Sequence, residues 1–494
     1  MPKTIKYPVG IQTFSKIREE NLFYIDKTIF IKEIINSSDY VFLIRPRRFG
    51  KSLLMSTLEA YFKGRKELFE GLAISELETE WKTYPVFRFD LSPANYINIE
   101  RLRIRLDGNL NFIEKDYGLS SEARSPQERF MELIRQAFEK YGQKVVILID
   151  EYDKPILDCL HNQELLENIK SELRSFYSVI KGNDEYIRFA MLTGVSKFGK
   201  VSVFSGLNNL KDISMLPKFN SVCGISESEF KRDFKKSVTE FSEENDLTED
   251  ETWESFKRLY DGYHFAKKGK FVYNPFSLLS AFDSEDFNHY WFSTGSPSYL
   301  IKLIKKNGYL LADLDGVRRN EAALNDMTDS SRDLVPLLYQ AGYLTIKSYE
   351  SLTRQYTLGF PNREVYEGFW DSLSNYFLRG YGGRTTFDLF SFLGDIRDGN
   401  IEGFMIRLQS LFADTDSMPE INKEIHFQNL MAIVCKMLGL EVRTEIHSSR
   451  GRCDMQILTD HQVFIFEFKV DGSAEKALRQ IKEKGYATPF GSDS

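Results

Sequence analysis

The stretch LIRPRRFGKSLLM, residues 43–55, decides how the first half of the chain should fold. It continues a short apolar run and contains Gly50, Lys51 and Ser52, which end the phosphate-binding pattern G-x-x-x-x-G-K-[ST]. Arg45 stands where that pattern begins with glycine, which predicts a first turn with negative φ. Because the N–H donors that hold an anion come from the intact end of the loop, the sequence still predicts a phosphate site. Lys51 should reach the β- and γ-phosphates of ATP, and the Ser52 hydroxyl should hold Mg²⁺.

Further apolar runs alternate with segments of helical spacing, and each ends in polar residues: YPVFRFDLS (84–92), KVVILIDEYDKP (144–155) and YIRFAMLTGVS (186–196). Apolar strands that alternate with helices predict an α/β fold, in which a parallel sheet is covered on both faces. Ligands of such sheets bind at the carboxyl ends of the strands. The polar residues that follow each run are therefore the candidates for a nucleotide site.

Two acids, Asp150 and Glu151, stand at that end of the second run. We expect Asp150 to bind Mg²⁺ through its water shell and Glu151 to polarise the attacking water. The alternative is a surface turn that follows a core strand. Thr193 or Ser196, at the end of the third run, could sense the γ-phosphate, and a simple strand-to-turn transition explains these two residues equally well.

The bulk composition is that of a globular protein without a strong affinity for polyanions. The chain has 494 residues, 42% of them hydrophobic and 28% charged, with a net charge of −7. This acidity excludes general nucleic-acid binding through the overall field, although a local groove could still bind nucleic acid. Four scattered cysteines without a C-x-x-C pair argue against a disulfide framework or a thiolate zinc site. Without a signal peptide or an apolar span, the expected location is the cytoplasm.

Several segments together resemble the AAA-ATPase-like family of bacterial proteins, namely YPVGIQTFSKIREENLFYIDKT (7–28), RPRRFGKSLL (45–54), LIDEYDKPI (148–156), LTGVSKFGKVSVFSGLNNL (192–210), YDGYHF (260–265) and YNPFSLL (273–279). The resemblance implies that Arg45 is normal in this loop. It also implies an additional-strand P-loop NTPase fold, followed by a helical lid.

The same resemblance suggests which residues contact the nucleotide. Besides Asp150 and Thr193, these are Arg47, Arg48, Phe49, Gly50, Lys51, Ser52 and Leu53. Arg47 and Arg48 would lie near phosphate or a partner subunit, or they are solvated loop charges. Asp26 and Lys27 belong to the first segment and either frame the adenine or have a structural role.

A second informative stretch is SSRGRCDMQILTDHQVFIFEFKVDG, residues 448–472. Alternation along 463–470 predicts a strand buried on both faces, with Glu467 and Lys469 side by side. Asp454 precedes them at hairpin distance. Two carboxylates and a lysine at one sheet edge suit metal-assisted phosphodiester hydrolysis: the acids hold Mg²⁺ or Mn²⁺, and Lys469 orients the nucleophile or neutralises charge. A satisfied buried ion pair is the alternative.

Residues 421–490 resemble the PD-(D/E)XK nuclease superfamily in their order of helix, strands, D…E-x-K and helix, with Asp454, Glu467 and Lys469 at the motif positions. Glu424 is either a further acid of the site or a helix-capping residue, and Gln480 and Tyr486 are either site residues or structural. The superfamily core usually closes with another strand, which the segment YATPFGSDS does not predict. The weaker metal candidates lack ligand spacing: His426, His447, His461 and Cys453.

These patterns predict a P-loop AAA-ATPase-like domain (1–215), a helical lid (216–305), a helical connecting region (306–420) and a restriction-endonuclease-like α/β domain (421–494). A winged-helix form of the lid is an alternative. The expected function is ATP binding and hydrolysis coupled to a metal-dependent nuclease domain that acts on nucleic acid, DNA being the expected substrate. Arg450 and Arg452 could meet phosphate. The alternative is a nucleotide-dependent switch whose nuclease-like domain only binds. Both a homo-oligomer and a monomer stay open, whereas a membrane transporter is disfavoured.

Overall fold

A computed structural model describes residues 5–160, 162–197, 203–204, 207, 209–293, 300, 303–304, 309–311, 314–325, 333–377, 391–392, 394–395, 399–413, 423–448, 451–459, 462–469 and 472–490. The chain forms two compact units. The first comprises Met1–Trp291, Arg319–Ser331 and Val335–Tyr356, and the second comprises Phe292–Arg318, Arg332–Leu334 and Thr357–Ser494. The four domains expected from the sequence remain a prediction.

A parallel sheet forms the centre of the first unit. Its strands are Tyr40–Ile44 (β1), Val86–Asp90 (β2), Val145–Asp150 (β3), Ile187–Gly194 (β4) and Lys211–Asp212 (β5). They stand in the order β2-β3-β4-β1-β5, and every neighbouring pair is parallel. β1 and β3 are buried along their whole length, as expected of strands that helices cover on both faces. The predicted parallel α/β fold is confirmed.

The helices that surround this sheet are Phe14–Glu19 (α1), Ile29–Ile35 (α2), Lys51–Phe62 (α3), Ala73–Leu77 (α4), Ile99–Tyr117 (α5), Pro126–Tyr141 (α6), Lys154–Cys159 (α7) and Gln163–Gly182 (α8), with 3-10 turns at Lys66–Phe69, Asp184–Tyr186 and Pro217–Phe219. The three longest begin at a side-chain cap: Asn98, Ser125 and Asn162 each accept a main-chain N–H from the first turn. Their apolar faces pack on the sheet; Phe89, for example, contacts Phe130 and Phe176 at centroid distances of 4.9 and 5.3 Å.

A helical segment follows the sheet, as predicted. It contains Ile225–Ser226 (β6), Val272–Tyr273 (β7), Glu227–Asp233 (α9), Lys235–Glu244 (α10), Glu249–Tyr260 (α11), Pro275–Ser284 (α12) and Tyr290–Ser293 (α13). Ser226 and Thr248 each form a capping box with the glutamate three residues later. Phe256 and Phe282 stack at 4.4 Å in the middle of the aromatic core.

Residues 306–420, predicted to be helical, also contain a second small sheet. Its strands are Arg318–Asn320 (β8), Thr345–Glu350 (β9) and Gln355–Gly359 (β10), in the order β8-β10-β9. The helices Glu321–Asn325 (α14) and Val335–Ala341 (α15) lie between β8 and β9 in sequence. Two longer helices follow, Arg363–Phe377 (α16) and Ile401–Ala413 (α17). In the described parts of the chain, no helix is both long and apolar enough to cross a membrane.

The second unit ends in a small α/β region. It consists of Lys423–Met437 (α18), Glu441–Ser448 (β11), Gly451–Leu458 (β12), Val463–Phe466 (β13), Ala474–Lys484 (α19) and a 3-10 turn at Thr488–Phe490. The strands are antiparallel, in the order β11-β12-β13. The expectation that 463–470 is one strand buried on both faces is wrong. The strand ends at Phe466 and its residues are half-buried, because it lies at the edge of the sheet. Within residues 485–490, no strand follows α19.

Candidate nucleotide site and candidate metal site

The loop between β1 and α3 leads directly into the first turn of that helix. Gly50 caps α3 with a φ of +88°, a conformation that glycine adopts without strain. Arg48 also has a positive φ, of +66°. α3 therefore begins at Lys51, and the N–H groups of its first turn have no partners within the helix. Together with the helix dipole, they suit an anion.

Arg45 explains how the loop can begin without glycine. Its φ is not positive, as expected from the sequence. Its guanidinium is buried and donates to the main-chain carbonyls of Ile44, Ser214 and Phe219 at 2.7–2.8 Å. It also lies 4.3 Å above the ring of Phe265. Arg45 thus fixes the start of the loop from inside the protein and does not extend toward a nucleotide.

The next residues divide into exposed and buried ones. Arg47 and Arg48 are exposed, and the guanidinium of Arg48 lies 4.8 Å above the ring of Phe276. Phe49 is buried and packs edge-on against Tyr263 and Phe265. The side chain of Phe49 therefore anchors the loop, and both arginines remain available to a phosphate or a partner.

Lys51 lies inside the loop. Its side chain is buried, and its Nζ donates to the carbonyl oxygens of Arg45 and Pro46, each at 3.0 Å. These two carbonyl oxygens hold the ammonium group beside the first turn of α3. A phosphate bound there would replace them as hydrogen-bond acceptors.

The acid pair at the end of β3 lies at the carboxyl edge of the same sheet. Asp150 is buried, and its Oδ1 accepts a hydrogen bond from the Thr193 hydroxyl at 2.7 Å. Its Oδ2 lies 4.0 Å from Arg88 Nη2. Thr193 therefore orients Asp150, a contact that the sequence did not predict. Glu151 follows with a φ of +55°, a strained conformation for a residue other than glycine. Burial raises the pKa of Glu151, and the positive charge of Lys51 opposes that rise.

A third acid, Asp153, was missed in the sequence. It is fully buried and accepts hydrogen bonds from the Ser196 N–H at 2.7 Å, the Ser196 hydroxyl at 2.8 Å and the Val195 N–H at 3.2 Å. The turn that follows β4 is thus held by a carboxylate that follows β3. Both candidate sensors are engaged in the same way, because the Thr193 hydroxyl donates to Asp150 and the Ser196 hydroxyl donates to Asp153. The only signal in the sequence was the third acid of the run DEYD.

An apolar pocket of about 700 Å³, counted to its open mouth, adjoins the loop. Its lining includes Gly50, Leu53, Ile25, Lys27, Ile225 and Pro275, which come from four segments of the first unit. Lys27 donates to Glu229 at 2.6 Å and to the Ser221 carbonyl at 3.0 Å. Asp26 accepts from the Ala73 N–H and the Thr28 N–H, so its contacts are structural. The pocket is mostly apolar, as is usual for pockets that bind small molecules.

In the second unit, the two predicted carboxylates come from neighbouring chain segments. Asp454 is buried on β12 and accepts the Phe468 N–H at 2.7 Å. Glu467 follows β13, and its Oε1 accepts from Lys469 Nζ at 2.6 Å and from Gln480 Nε2. Its other oxygen, Oε2, is buried and makes no hydrogen bond with the described residues. Gln480 therefore belongs to this cluster.

The electrostatics couple these groups. Burial raises the pKa of Glu467; the hydrogen bond from Lys469 lowers it and the charge of Asp454 raises it further. Burial would lower the pKa of Lys469, but the hydrogen bond to Glu467 and the charges of Glu467, Asp454 and Glu424 raise it overall. Glu424, in the first turn of α18, thus acts electrostatically on the site.

The site offers two carboxylates, and Oε2 of Glu467 has no hydrogen-bond donor among the described residues. Such oxygen ligands suit Mg²⁺ or Mn²⁺. In the described part of the chain, no group of three or more His, Cys, Asp or Glu residues is arranged to hold a metal. The remaining ligands would have to be main-chain carbonyls or water.

Other predicted residues contribute less or are not described. Tyr486 is buried and donates to the carbonyl oxygen of Arg452 at 2.7 Å, which is a structural contact. Cys453 is a buried thiol, as are the other three cysteines. Arg450 and His461 lie outside the described residues.

Comparisons with known proteins match both regions. A family model described as "Predicted AAA-ATPase" matches residues 8–204, and one described as "PD-(D/E)XK nuclease superfamily" matches residues 422–494. A protein of Azotobacter chroococcum mcd 1, described as "Uncharacterized protein in vnfD 5'region", is 37% identical over 497 residues and spans 98% of this chain and 93% of that protein. The structure of the Aeropyrum pernix ORC2 protein in ADPNP-ADP complexes matches 71% of this chain and 92% of that chain, at 12% identity and a TM-score of 0.25.

Proposed function

This chain belongs to the family of predicted AAA-ATPases that also carry a PD-(D/E)XK nuclease superfamily region, and we propose that it hydrolyses ATP in its first unit and cleaves nucleic acid, DNA being the expected substrate, in its second. The observation that carries the first half is the convergence of Lys51, Asp150, Glu151 and Thr193 at one edge of the parallel sheet. Ligands bind at this edge in folds of this class.

The proposed nucleotide position follows from the apolar pocket on one side of the loop and the N–H groups of the first turn of α3 on the other. The base enters the apolar pocket beside Leu53 and Ile225, and the phosphates meet the N–H groups that begin α3. Lys51 exchanges its two carbonyl acceptors for phosphate oxygens. Arg47 and Arg48 are exposed at the same loop and add positive charge.

Hydrolysis needs an oriented water and a neutralised phosphate. Bound Mg²⁺ supplies that neutralisation, and the residues that would hold it are Ser52 and Asp150. Thr193 keeps the Asp150 carboxylate in one orientation. Glu151 polarises the attacking water, and the raised pKa of its carboxylate makes it a stronger base than an exposed glutamate.

The test is ATP binding and steady-state hydrolysis in Glu151→Gln, with Glu243→Gln as the matched control. Glu243 is an exposed glutamate of α10. We expect Glu151→Gln to retain ATP affinity and to lose at least about 100-fold in hydrolysis rate, the usual contribution of a general base. Normal turnover in Glu151→Gln would contradict the role of Glu151.

For the second unit, the supporting observation is the unpartnered Oε2 of Glu467 beside the charge of Asp454. Mg²⁺ or Mn²⁺ would be held by these two carboxylates and would activate water for attack on a phosphodiester. Gln480 fixes the orientation of Glu467, and Lys469 neutralises charge next to it.

Metal binding can be tested without any cleavage assay. Titration of the protein with Mn²⁺, followed by the electron paramagnetic resonance signal of free Mn²⁺, should reveal a site that Asp454→Asn removes and that the exposed-residue control Glu483→Gln keeps. Equal Mn²⁺ binding in both variants would contradict the assignment of Asp454.

A second candidate function is a nucleotide-dependent switch whose nuclease-like region only binds nucleic acid. The observation in its favour is that Lys469 already neutralises Glu467, and that the described residues form no cluster of three metal ligands. Its proposed location is the cytoplasm in either case, since buried thiols fit a reducing compartment. A natural protein that binds nucleic acid but not Mn²⁺ would favour the switch. Mn²⁺ binding that Asp454→Asn removes would favour the nuclease.

A further inference from the structure

The helix that follows the edge strand β2, α5, has apolar residues on two opposite sides. Its inner side is buried in the core of the first unit through residues such as Leu106 and Leu110. On its outer side, Ile104 is 56% exposed and Phe112 is 67% exposed. Because a surface helix normally presents polar residues to solvent, an outer apolar stripe of this kind indicates an interaction surface.

Gly108 lies at the midpoint of α5, between Ile104 and Phe112 and one turn from each. A glycine in the interior of a helix lowers its stability relative to alanine. A Cβ placed on Gly108 would meet no atom within 4 Å apart from its chain neighbours and the backbone of the helix itself. Among the described residues, no neighbour therefore requires a glycine at this position. The close approach of a second helix would require it.

The charged residues near the two ends of this stripe are arranged symmetrically about Gly108. Glu100 and Arg101 stand eight and seven residues before it, and Lys115 and Asp116 stand seven and eight residues after it. All four side chains are exposed, and none of them forms an ion pair with another residue in the part of the chain that the structure describes. Each end of the stripe thus presents one acid and one base to solvent.

We propose that α5 packs antiparallel against α5 of a second copy of this chain, across a two-fold axis at Gly108. In such an isologous pair, residues that stand equally far before and after Gly108 meet each other. Ile104 then packs on Phe112 of the second copy.

The charges on the flanks of this contact are complementary. At a shallow crossing angle of about 20°, which keeps the whole length of the two helices in contact, Arg101 meets Asp116 of the second copy, and Lys115 meets Glu100. The antiparallel arrangement also sets the two helix dipoles in opposite directions, which is favourable. In a parallel pair, Arg101 would instead meet Glu100 of the second copy, and the experiment below distinguishes the two arrangements.

The experiment is sedimentation velocity of the full chain over a range of concentrations. One helix pair lies at the small end of specific interfaces, about 1,200 Å² of buried surface or less, so we expect a dissociation constant in the micromolar range. Phe112→Gln should raise that constant at least about 100-fold, because both copies lose the burial of an aromatic ring. Leu352→Gln is the matched control, since Leu352 is 90% exposed and lies outside α5. Circular dichroism establishes that each variant is folded.

Gly108→Leu separates the interface from the stability of the helix. Since no neighbour within the described chain opposes a side chain at this position, Gly108→Leu should raise the thermal unfolding midpoint of the dilute monomer. The same side chain would keep the two helices apart and should weaken the dimer at least about tenfold.

Charge reversal tests the antiparallel arrangement. Arg101→Asp and Asp116→Arg each place like charges together twice in the dimer, and each should weaken it at least about tenfold. The two positions are about 22 Å apart along one helix, so they cannot pair within one chain. An equimolar mixture of the two variants restores both pairs of opposite charge and should dimerise like the natural protein, whereas mixing restores nothing in a parallel pair.

Three results would overturn the proposal. They are a natural protein that stays monomeric up to about 100 µM, a dimer that Phe112→Gln or Gly108→Leu leaves unchanged, and a mixture of Arg101→Asp and Asp116→Arg that dimerises no better than either variant alone.

Discussion

Asp153 allows the clearest calculation from the structure. Its carboxylate accepts hydrogen bonds from the Val195 N–H, the Ser196 N–H and the Ser196 hydroxyl in a site without solvent access. Asp153→Ala leaves three buried donors without an acceptor, at about 1–3 kcal/mol each. Burial raises the pKa of Asp153, which means that its buried negative charge destabilises the folded protein. Asp153→Ala removes that destabilisation, which offsets part of the loss of hydrogen bonds. We therefore expect a net destabilisation of about 3–5 kcal/mol, near the lower end of the sum.

The assay is urea unfolding followed by circular dichroism. With a slope of about 3 kcal/mol/M, the midpoint of the first unit should fall by about 1 M or more. The matched control is Asp158→Ala, because Asp158 is partly exposed, pairs with Lys154 and accepts one long hydrogen bond from the Tyr96 N–H at 3.3 Å. It should therefore contribute about 1–2 kcal/mol, less than Asp153. A midpoint of Asp153→Ala no lower than that of Asp158→Ala would refute the assignment of Asp153 as the residue that holds the turn after β4.

Three further predictions concern the candidate sites. Lys51→Ala should lower ATP affinity at least about 100-fold in equilibrium dialysis, because the ammonium group is the main charge at the start of α3; unchanged affinity would remove the loop from the nucleotide site. Glu151→Gln should become more stable relative to the natural protein as the pH rises from about 4 to about 8. Burial raises the pKa of Glu151, so the stability that its protonated form contributes is lost as the pH rises through that pKa, whereas glutamine does not titrate; a stability difference that is independent of pH in urea unfolding would contradict this. Gln480→Ala should weaken Mn²⁺ binding by about 10–100-fold through the loss of its hydrogen bond to Glu467, and unaltered Mn²⁺ titration would show that Gln480 does not position Glu467.

Local sequence patterns predicted where the loop and Asp150 lie in the fold, because these residues stand at the ends of consecutive elements. The loop of residues 45–52 follows one buried strand and begins one helix, and Asp150 ends another strand. The order of parallel strands places both ends at one edge of the sheet. Both family resemblances are confirmed by the matches at residues 8–204 and 422–494.

Contacts between distant segments could not be predicted in this way. The carbonyls that bind Arg45 come from Ser214 and Phe219, about which the loop sequence contains no information. Asp153 and Ser196 lie on different turns and meet only because β3 and β4 are neighbours. The roles of these residues follow from tertiary packing.

The prediction for β13 failed for a different physical reason. A continuous apolar run predicts a strand covered on both faces, but an edge strand with half-buried residues can carry the same run. Alternation still placed Glu467 and Lys469 together, and the structure pairs them at 2.6 Å. The residue pattern therefore identified the pair correctly, although it gave the wrong burial for the strand.

Cleavage of supercoiled plasmid DNA, with Mg²⁺ or Mn²⁺ and with or without ATP, tests most directly the proposed nuclease site and the coupling to ATP that the sequence predicts. The natural protein and Asp454→Ala are compared, with Glu483→Gln as the control. If the two units act together, the natural protein and the control cleave the plasmid in the presence of metal, ATP changes the rate, and Asp454→Ala is inactive. Equal cleavage by Asp454→Ala, or no cleavage by a natural protein that binds ATP, would contradict a nuclease at Asp454 and Glu467.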